Sequence, residues 1–161
     1  MGFQRTIAVV LTWALTWALL AGAAEPAVGE SLAGPVPAQV TRVIDGDTLQ
    51  VRARIWLGHE VATRVRLADI DAPETSAACP RARRLADEAT AFVNAKLGLS
   101  DGKPRQVWLK DIRYGKYAGR IVARVELVGG EDLGQALLAA GLAQPYDGGR
   151  RRPWCEPTPS D

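Results

Sequence analysis

The stretch QVTRVIDGDTLQVRARIWLGHEVATRVRL, residues 39–67, decides the fold. Val, Leu and Ile alternate with Thr, Arg and Gln over 39–44, 48–55 and 61–67, the period of two that gives a strand one buried and one solvated face. Gly46 in the first break and Gly58-His59 in the second supply the turns. No break is long enough for a crossover helix, so the three strands form an antiparallel meander.

Downstream the period changes. Leu85, Ala86, Ala89, Phe92, Val93 and Leu97 recur at three and four residues, with Arg84, Asp87, Glu88 and Lys96 on the other side. That spacing predicts an amphipathic helix over 81–97, ended by Gly98. Strand alternation returns over 107–111 and 120–127, and a second helix over 132–140 is closed by Gly141. Three strands, a helix, two strands and a helix make the α+β layout of a five-stranded OB-fold β-barrel, which commonly binds oligonucleotides or oligosaccharides. Fold alone does not give an activity.

With 161 residues, 47% of them apolar, and nearly balanced charge, the chain has the composition of one globular domain rather than of a disordered segment. Arg5 precedes an uncharged stretch that closes on Ala21-Gly22-Ala23-Ala24, the layout of a secretory signal peptide over 1–24. The stretch approaches bilayer-spanning length, which leaves an uncleaved anchor as the alternative. Either route delivers the remainder outside the cytoplasm, to the periplasm or the medium, with no stable membrane association expected after cleavage. Residues 25–38, rich in Pro, Gly and Ala, read as a flexible lead-in to a domain over 39–146, and 147–161 as a tail without a period.

The net charge is +2, and loss of Arg5 leaves 19 basic against 18 acidic residues, so a polyanion partner would have to be met by local clusters at 81–84, 113–120 and 150–152. Cys79 and Cys155, in a chain bound for an oxidising compartment, point to a disulfide that ties the tail back, with two free thiols as the alternative. Two cysteines and the lone His59 are too few for a structural zinc site.

Two acidic runs stand at strand ends: Asp45-Gly46-Asp47-Thr48 after the first strand and Asp69-Ile70-Asp71-Ala72-Pro73-Glu74 after the third. Convergence of Asp47, Asp71 and Glu74 would need a cation or arginines to offset their repulsion, and oxygen donors suit calcium or magnesium. Spacing leaves open that Asp45-Gly46-Asp47 is only a hairpin turn and Asp71 only a cap. An EF-hand is excluded, because position 12 counted from Asp45 or Asp69 is Trp56 or Pro80 and not the required Glu.

Val43-Ile44-Asp45-Gly46-Asp47-Thr48, then the run from Arg64-Val65-Arg66-Leu67-Ala68 through Glu74, then Lys116-Tyr117-Ala118-Gly119-Arg120 resemble, in order, the three signature blocks of the staphylococcal (micrococcal, thermonuclease) nuclease family. Glu88-Ala89-Thr90-Ala91-Phe92, Ala136-Leu137-Leu138 and Gly141-Leu142-Ala143 add to the match, which runs from about Val40 to Tyr146. The resemblance implies a calcium-dependent nuclease acting on DNA and RNA, single-stranded or locally opened, by water attack that leaves a 3′-phosphate; a monomer is expected. It implies Asp47 and Asp71 as calcium ligands, the backbone carbonyl of Ala72 beside them and Asp45 just behind. Glu74 would orient or deprotonate the water, and Arg66 and Arg120 would grip the phosphate. Lys116, Tyr117 and Tyr146 would contact the nucleotide. Relative to the family block, Ala118 is an extra residue before Gly119-Arg120, and Tyr146 is displaced by one position. The alternative is a catalytically weak or inactive OB-fold module that binds nucleic acid without cutting it.

Overall fold

The computed structural model describes residues 31–116 and 119–155. Within them run β1 (Ser31–Leu32), β2 (Val36–Asp45), β3 (Thr48–Trp56), β4 (His59–Leu67), β5 (Ile70–Asp71), α1 (Pro80–Leu97), a 3-10 turn (Leu99–Asp101), β6 (Arg105–Tyr114), β7 (Arg120–Leu127), α2 (Leu133–Ala139) and β8 (Gln144–Pro145). The expected signal segment lies outside these residues, as do Tyr117 and Ala118.

Five strands close on themselves in the order β6-β2-β3-β4-β7, with β7 paired back to β6. Every barrel pair is antiparallel except β4 with β7, which run parallel. This is the expected five-stranded OB-fold barrel, and closure leaves no barrel strand with an unpaired edge. Its interior comes from the alternation in the sequence: Leu49, Val51 and Ala53 of β3 are buried, whereas Arg52 and Arg54 between and after them are exposed.

Two strands change face on the way. In β2 the buried positions pass from Ala38 and Val40 to Val43, and in β6 from Val107 and Leu109 to Ile112. Register shifts lie between Val40 and Arg42 and between Lys110 and Arg113, where a bulge inserts one residue and resets the inward set. Asp111 takes a positive φ of 52° at the second. The expected strand over 107–111 stops where alternation breaks, but the ladder continues to Tyr114.

The lead-in expectation for 25–38 does not hold from Ser31 onward. Ser31 and Leu32 pair with Arg113 and Ile112, and β2 begins at Val36. Pro37 is tolerated because its register partner is Trp108 on β6, whereas β3 joins only at Ala38; one flank of the strand there has no ladder for a missing N–H to interrupt.

Helix α1 starts at Cys79-Pro80 and stops at Gly98, whose φ of 63° is costly for residues with a Cβ. It buries Ala82, Ala86, Ala89, Val93 and Leu97, close to the periodicity in the sequence, and the last three join the barrel's core. In α2, the Asp132 side chain accepts from the Gln135 N–H, and Leu133 and Leu137 are buried.

Candidate active site

At one end of the barrel the β2–β3 turn, the exit of β4 and the entry of β7 meet. Gly46 lets the turn close: a Cβ there would lie 2.7 Å from the Ala89 Cβ of α1 and 3.1 Å from that of Ala72. Asp45 builds the turn, its Oδ1 accepting the Asp47 N–H at 3.0 Å. The hairpin turn that the sequence left open for Asp45-Gly46-Asp47 is therefore present. Asp47 is only 3% exposed, and its Oδ1 accepts from Thr48 Oγ1 at 2.9 Å.

Thr48 is the register partner of Arg66, which places that arginine beside Asp47. Arg66 also pairs with Val122 on β7, so it is flanked by strands on both sides. Ala68 donates to the Ala123 carbonyl and Asp69 takes a φ of 61°, and β5 then folds back over the strand end. Arg66 is consequently 7% exposed, while Arg64, two residues earlier on the same face, is in solvent. Its guanidinium bridges both candidate metal ligands, Nη1 donating to Asp47 Oδ1 at 2.6 Å and Nη2 to Asp71 Oδ1 at 2.9 Å. The Ala72 N–H completes the cluster by donating to Asp47 Oδ2 at 3.0 Å.

Burial pushes Asp47 up to about 6, against the pull of Arg66 and the Ala72 N–H and with Asp45 adding to the rise. A buried carboxylate held this high is one whose charged form a divalent cation would stabilise. The donors are hard oxygens, but among the described residues no three His, Cys, Asp or Glu side chains group so as to hold a metal, and the expected convergence of Glu74 with Asp47 and Asp71 is not met: Glu74 stays exposed while the two aspartates are buried. Carboxylates of this kind suit calcium or magnesium, which also accept water and phosphate oxygens; each of the four oxygens accepts from a protein donor that a cation would have to displace.

Arg66 connects this pair to a cleft of about 580 Å³, which neither Asp47 nor Asp71 lines. Arg66, Glu74, Lys116, Arg120 and Tyr146 all line it, so the expected catalytic groups and two of the three expected substrate contacts share one space. Tyr146 sets its ring 5.9 Å from the Arg66 guanidinium and donates its hydroxyl to the Gly149 carbonyl at 3.1 Å. Its backbone N–H donates to the Asp69 carbonyl, so the displacement by one position still leaves it at the site. Lys116 donates Nζ to the Gly148 carbonyl at 3.3 Å. Arg120 opens β7 in register with Arg64 and stands between this cleft and a neighbouring depression that holds Asp45. Glu74 is exposed in the loop after β5.

Residues of the tail also enter the site. Arg151 makes ion pairs with Asp71 and Glu74, and the Trp154 indole donates to Asp71. Cys79 and Cys155 are disulfide-bonded, with Cα atoms 5.9 Å apart. That bond was the one signal in the sequence that could bring an aperiodic tail to the loop after Glu74.

A family model described as "Staphylococcal nuclease homologue" matches residues 64–155, more than half of the chain. The match starts after the Asp45–Thr48 turn and runs through the tail to Cys155. A micrococcal nuclease of Shigella flexneri is 36% identical over 115 residues, covering 67% of this chain and 57% of that protein. The chain thus spans less than two thirds of the length of that relative. By the extent of the family match, carried on a closed barrel with the signature residues gathered at one end, the chain belongs to the staphylococcal nuclease family.

Proposed function

We propose that this protein is an exported, calcium-dependent nuclease that hydrolyses phosphodiester bonds in DNA and RNA. The observation that carries the proposal is the convergence of Arg66, Arg120 and Glu74 on one cleft, with Arg66 ion-paired behind it to the buried Asp47 and Asp71. A phosphodiester is anionic and gains charge on its non-bridging oxygens as water attacks, so donors fixed beforehand around those oxygens favour the transition state over the ground state. Arg66 is fixed by its two carboxylates and by strands on either side, and Arg120 by its place at the start of β7. Planar guanidinium groups suit both positions because each can donate two parallel hydrogen bonds to a phosphate.

Glu74 lines the cleft, as Asp69 and Asp147 also do, rather than joining the buried cluster, and in this reading it orients the attacking water and takes its proton. The bond from phosphorus to the 5′ oxygen breaks, leaving a 3′-phosphate and a 5′-hydroxyl. Asp47 and Asp71, with the Ala72 backbone, would hold calcium, which when bound supplies charge stabilisation at the phosphate. Lys116 and Tyr146 would hold the nucleotide. Tyr117 keeps its expected role from the sequence alone.

An activity gel containing DNA or RNA, run on residues 25–161 with calcium or with chelator, tests the proposal. Clearing that depends on calcium is expected. A protein that retards nucleic acid in a gel shift but clears neither substrate is the binding module instead.

A further inference from the structure

The buried Asp71 carboxylate is engaged from three sides. Its Oδ1 accepts from Arg66 Nη2 at 2.9 Å and pairs with Arg151 Nε at 3.1 Å, and its Oδ2 accepts from the Trp154 indole at 3.3 Å. Arg151 then extends Nη1 to within 2.9 Å of Glu74 Oε1. Two of the three partners of Asp71 thus come from the tail, and one of them also holds the carboxylate assigned to the water.

The tail is fastened in place to do this. Arg151 and Trp154 lie within four residues of Cys155, whose bond to Cys79 fixes them at the start of α1. Upstream, Lys116 holds the Gly148 carbonyl, Tyr146 holds the Gly149 carbonyl, and Asp147 accepts the Gly149 N–H at 2.9 Å. Arg151 leaves 46% of its side chain in solvent, so its ion pairs add little to stability, whereas it lines the same cleft as Arg66, Glu74 and Arg120. A guanidinium, with donors on separate nitrogens, can hold two carboxylates at once where an ammonium offers a single point.

We propose that Arg151 is a positioning residue of the hydrolytic site, delivered by the disulfide-fastened tail. It holds Glu74 toward the cleft and, together with Trp154, satisfies Asp71 until a divalent cation takes that carboxylate. The inference rests on the nuclease reading for Glu74, but its claim at Asp71 can be measured without turnover. Removing Arg151 leaves two acids less neutralised, so a divalent cation binds more tightly. The same change frees Glu74 to leave its productive geometry, so turnover falls while Arg66 and Arg120 still hold the phosphate. A residue that only supported the fold would weaken both properties together.

Calorimetric titration with calcium and steady-state kinetics on the disulfide-bonded protein, for wild type, Arg151→Gln and Arg151→Lys, test this. Arg151→Gln should bind calcium more tightly, by about tenfold. It should also turn over at least about tenfold more slowly with KM within about threefold of wild type, and Arg151→Lys should recover part of the turnover. Calcium affinity and turnover falling together, or a rise in KM with kcat unchanged, would overturn the proposal. If wild type binds calcium yet cuts nothing, the nuclease reading fails, and the titration still decides the rest. Equal affinities in wild type and Arg151→Gln, or no calcium bound by either, would overturn the place given to the tail at Asp71.

Discussion

Arg66 shows how one side chain can hold a site together before any ligand arrives. Its two terminal nitrogens each meet a different buried aspartate, so a lysine would keep the charge and lose one of the contacts. Arg66→Lys is expected to lower stability by about 1.5–3 kcal/mol in urea titration, the worth of a hydrogen bond to a charged partner, and to slow hydrolysis with it. Asp47 carries a pH signature. Burial holds its pKa at about 6, above the usual carboxylate value of about 4, so the group contributes fully to stability below about pH 4, where both states are protonated. As pH rises through about 4 to 6 the unfolded chain ionises first and that contribution is lost, by about 3 kcal/mol once pH exceeds the folded value. In chelator, the stability of Asp47→Asn relative to wild type should therefore improve between about pH 4 and pH 7. A difference that stays constant across that range would contradict the assignment. Residues differ in how far the sequence discloses them. Alternation makes Arg66 look like its solvated neighbours Arg52 and Arg64, and only the family resemblance separates it. Arg151 and Trp154 carry no period at all, because their positions depend on a covalent link between distant residues.

The elements were legible in type and order because the period of two and the period of 3.6 are written into separate stretches. Their limits were less so: the bulges near Thr41 and Asp111 reverse which residues face inward, and the strand read over 107–111 ends at the second reversal although the ladder runs on to Tyr114. The same contact that aligns the turn with α1 yields a prediction. Gly46→Ala places a methyl group 2.7 Å from the Ala89 Cβ, closer than two carbons can approach. Either α1 or the Asp45–Thr48 turn must move, and overpacking of this kind typically destabilises by about 1–3 kcal/mol. Denaturant titration should show that loss, and the midpoint of calcium activation should rise because Asp47 moves with the turn. A Gly46→Ala protein with unaltered stability and calcium response would mean that the turn is not held against the helix.

Over the whole molecule, closure of the barrel brings residues from both halves of the chain to one end. Arg66 and Arg120 lie on β4 and β7, adjacent because those two strands form the parallel pair. The disulfide adds a third region by spanning 76 residues to return the tail. Replacing both cysteines by serine should lower stability by about 2–4 kcal/mol, seen as a drop in Tm of the order of 10 °C, and should slow turnover in the same direction as Arg151→Gln. Net charge would not have foretold the cleft, since the chain as a whole is nearly neutral; what matters is that its cations gather where the phosphate would lie. The central claim is that Glu74 works on water while Asp47 holds the metal, and kinetics of DNA cleavage across a calcium titration tests it most directly. Glu74→Gln should cut at least about a hundredfold more slowly at every calcium concentration while still binding DNA, and Asp47→Ala should need more calcium to reach its own maximum. A Glu74→Gln protein that cleaves at the wild-type rate would contradict the account.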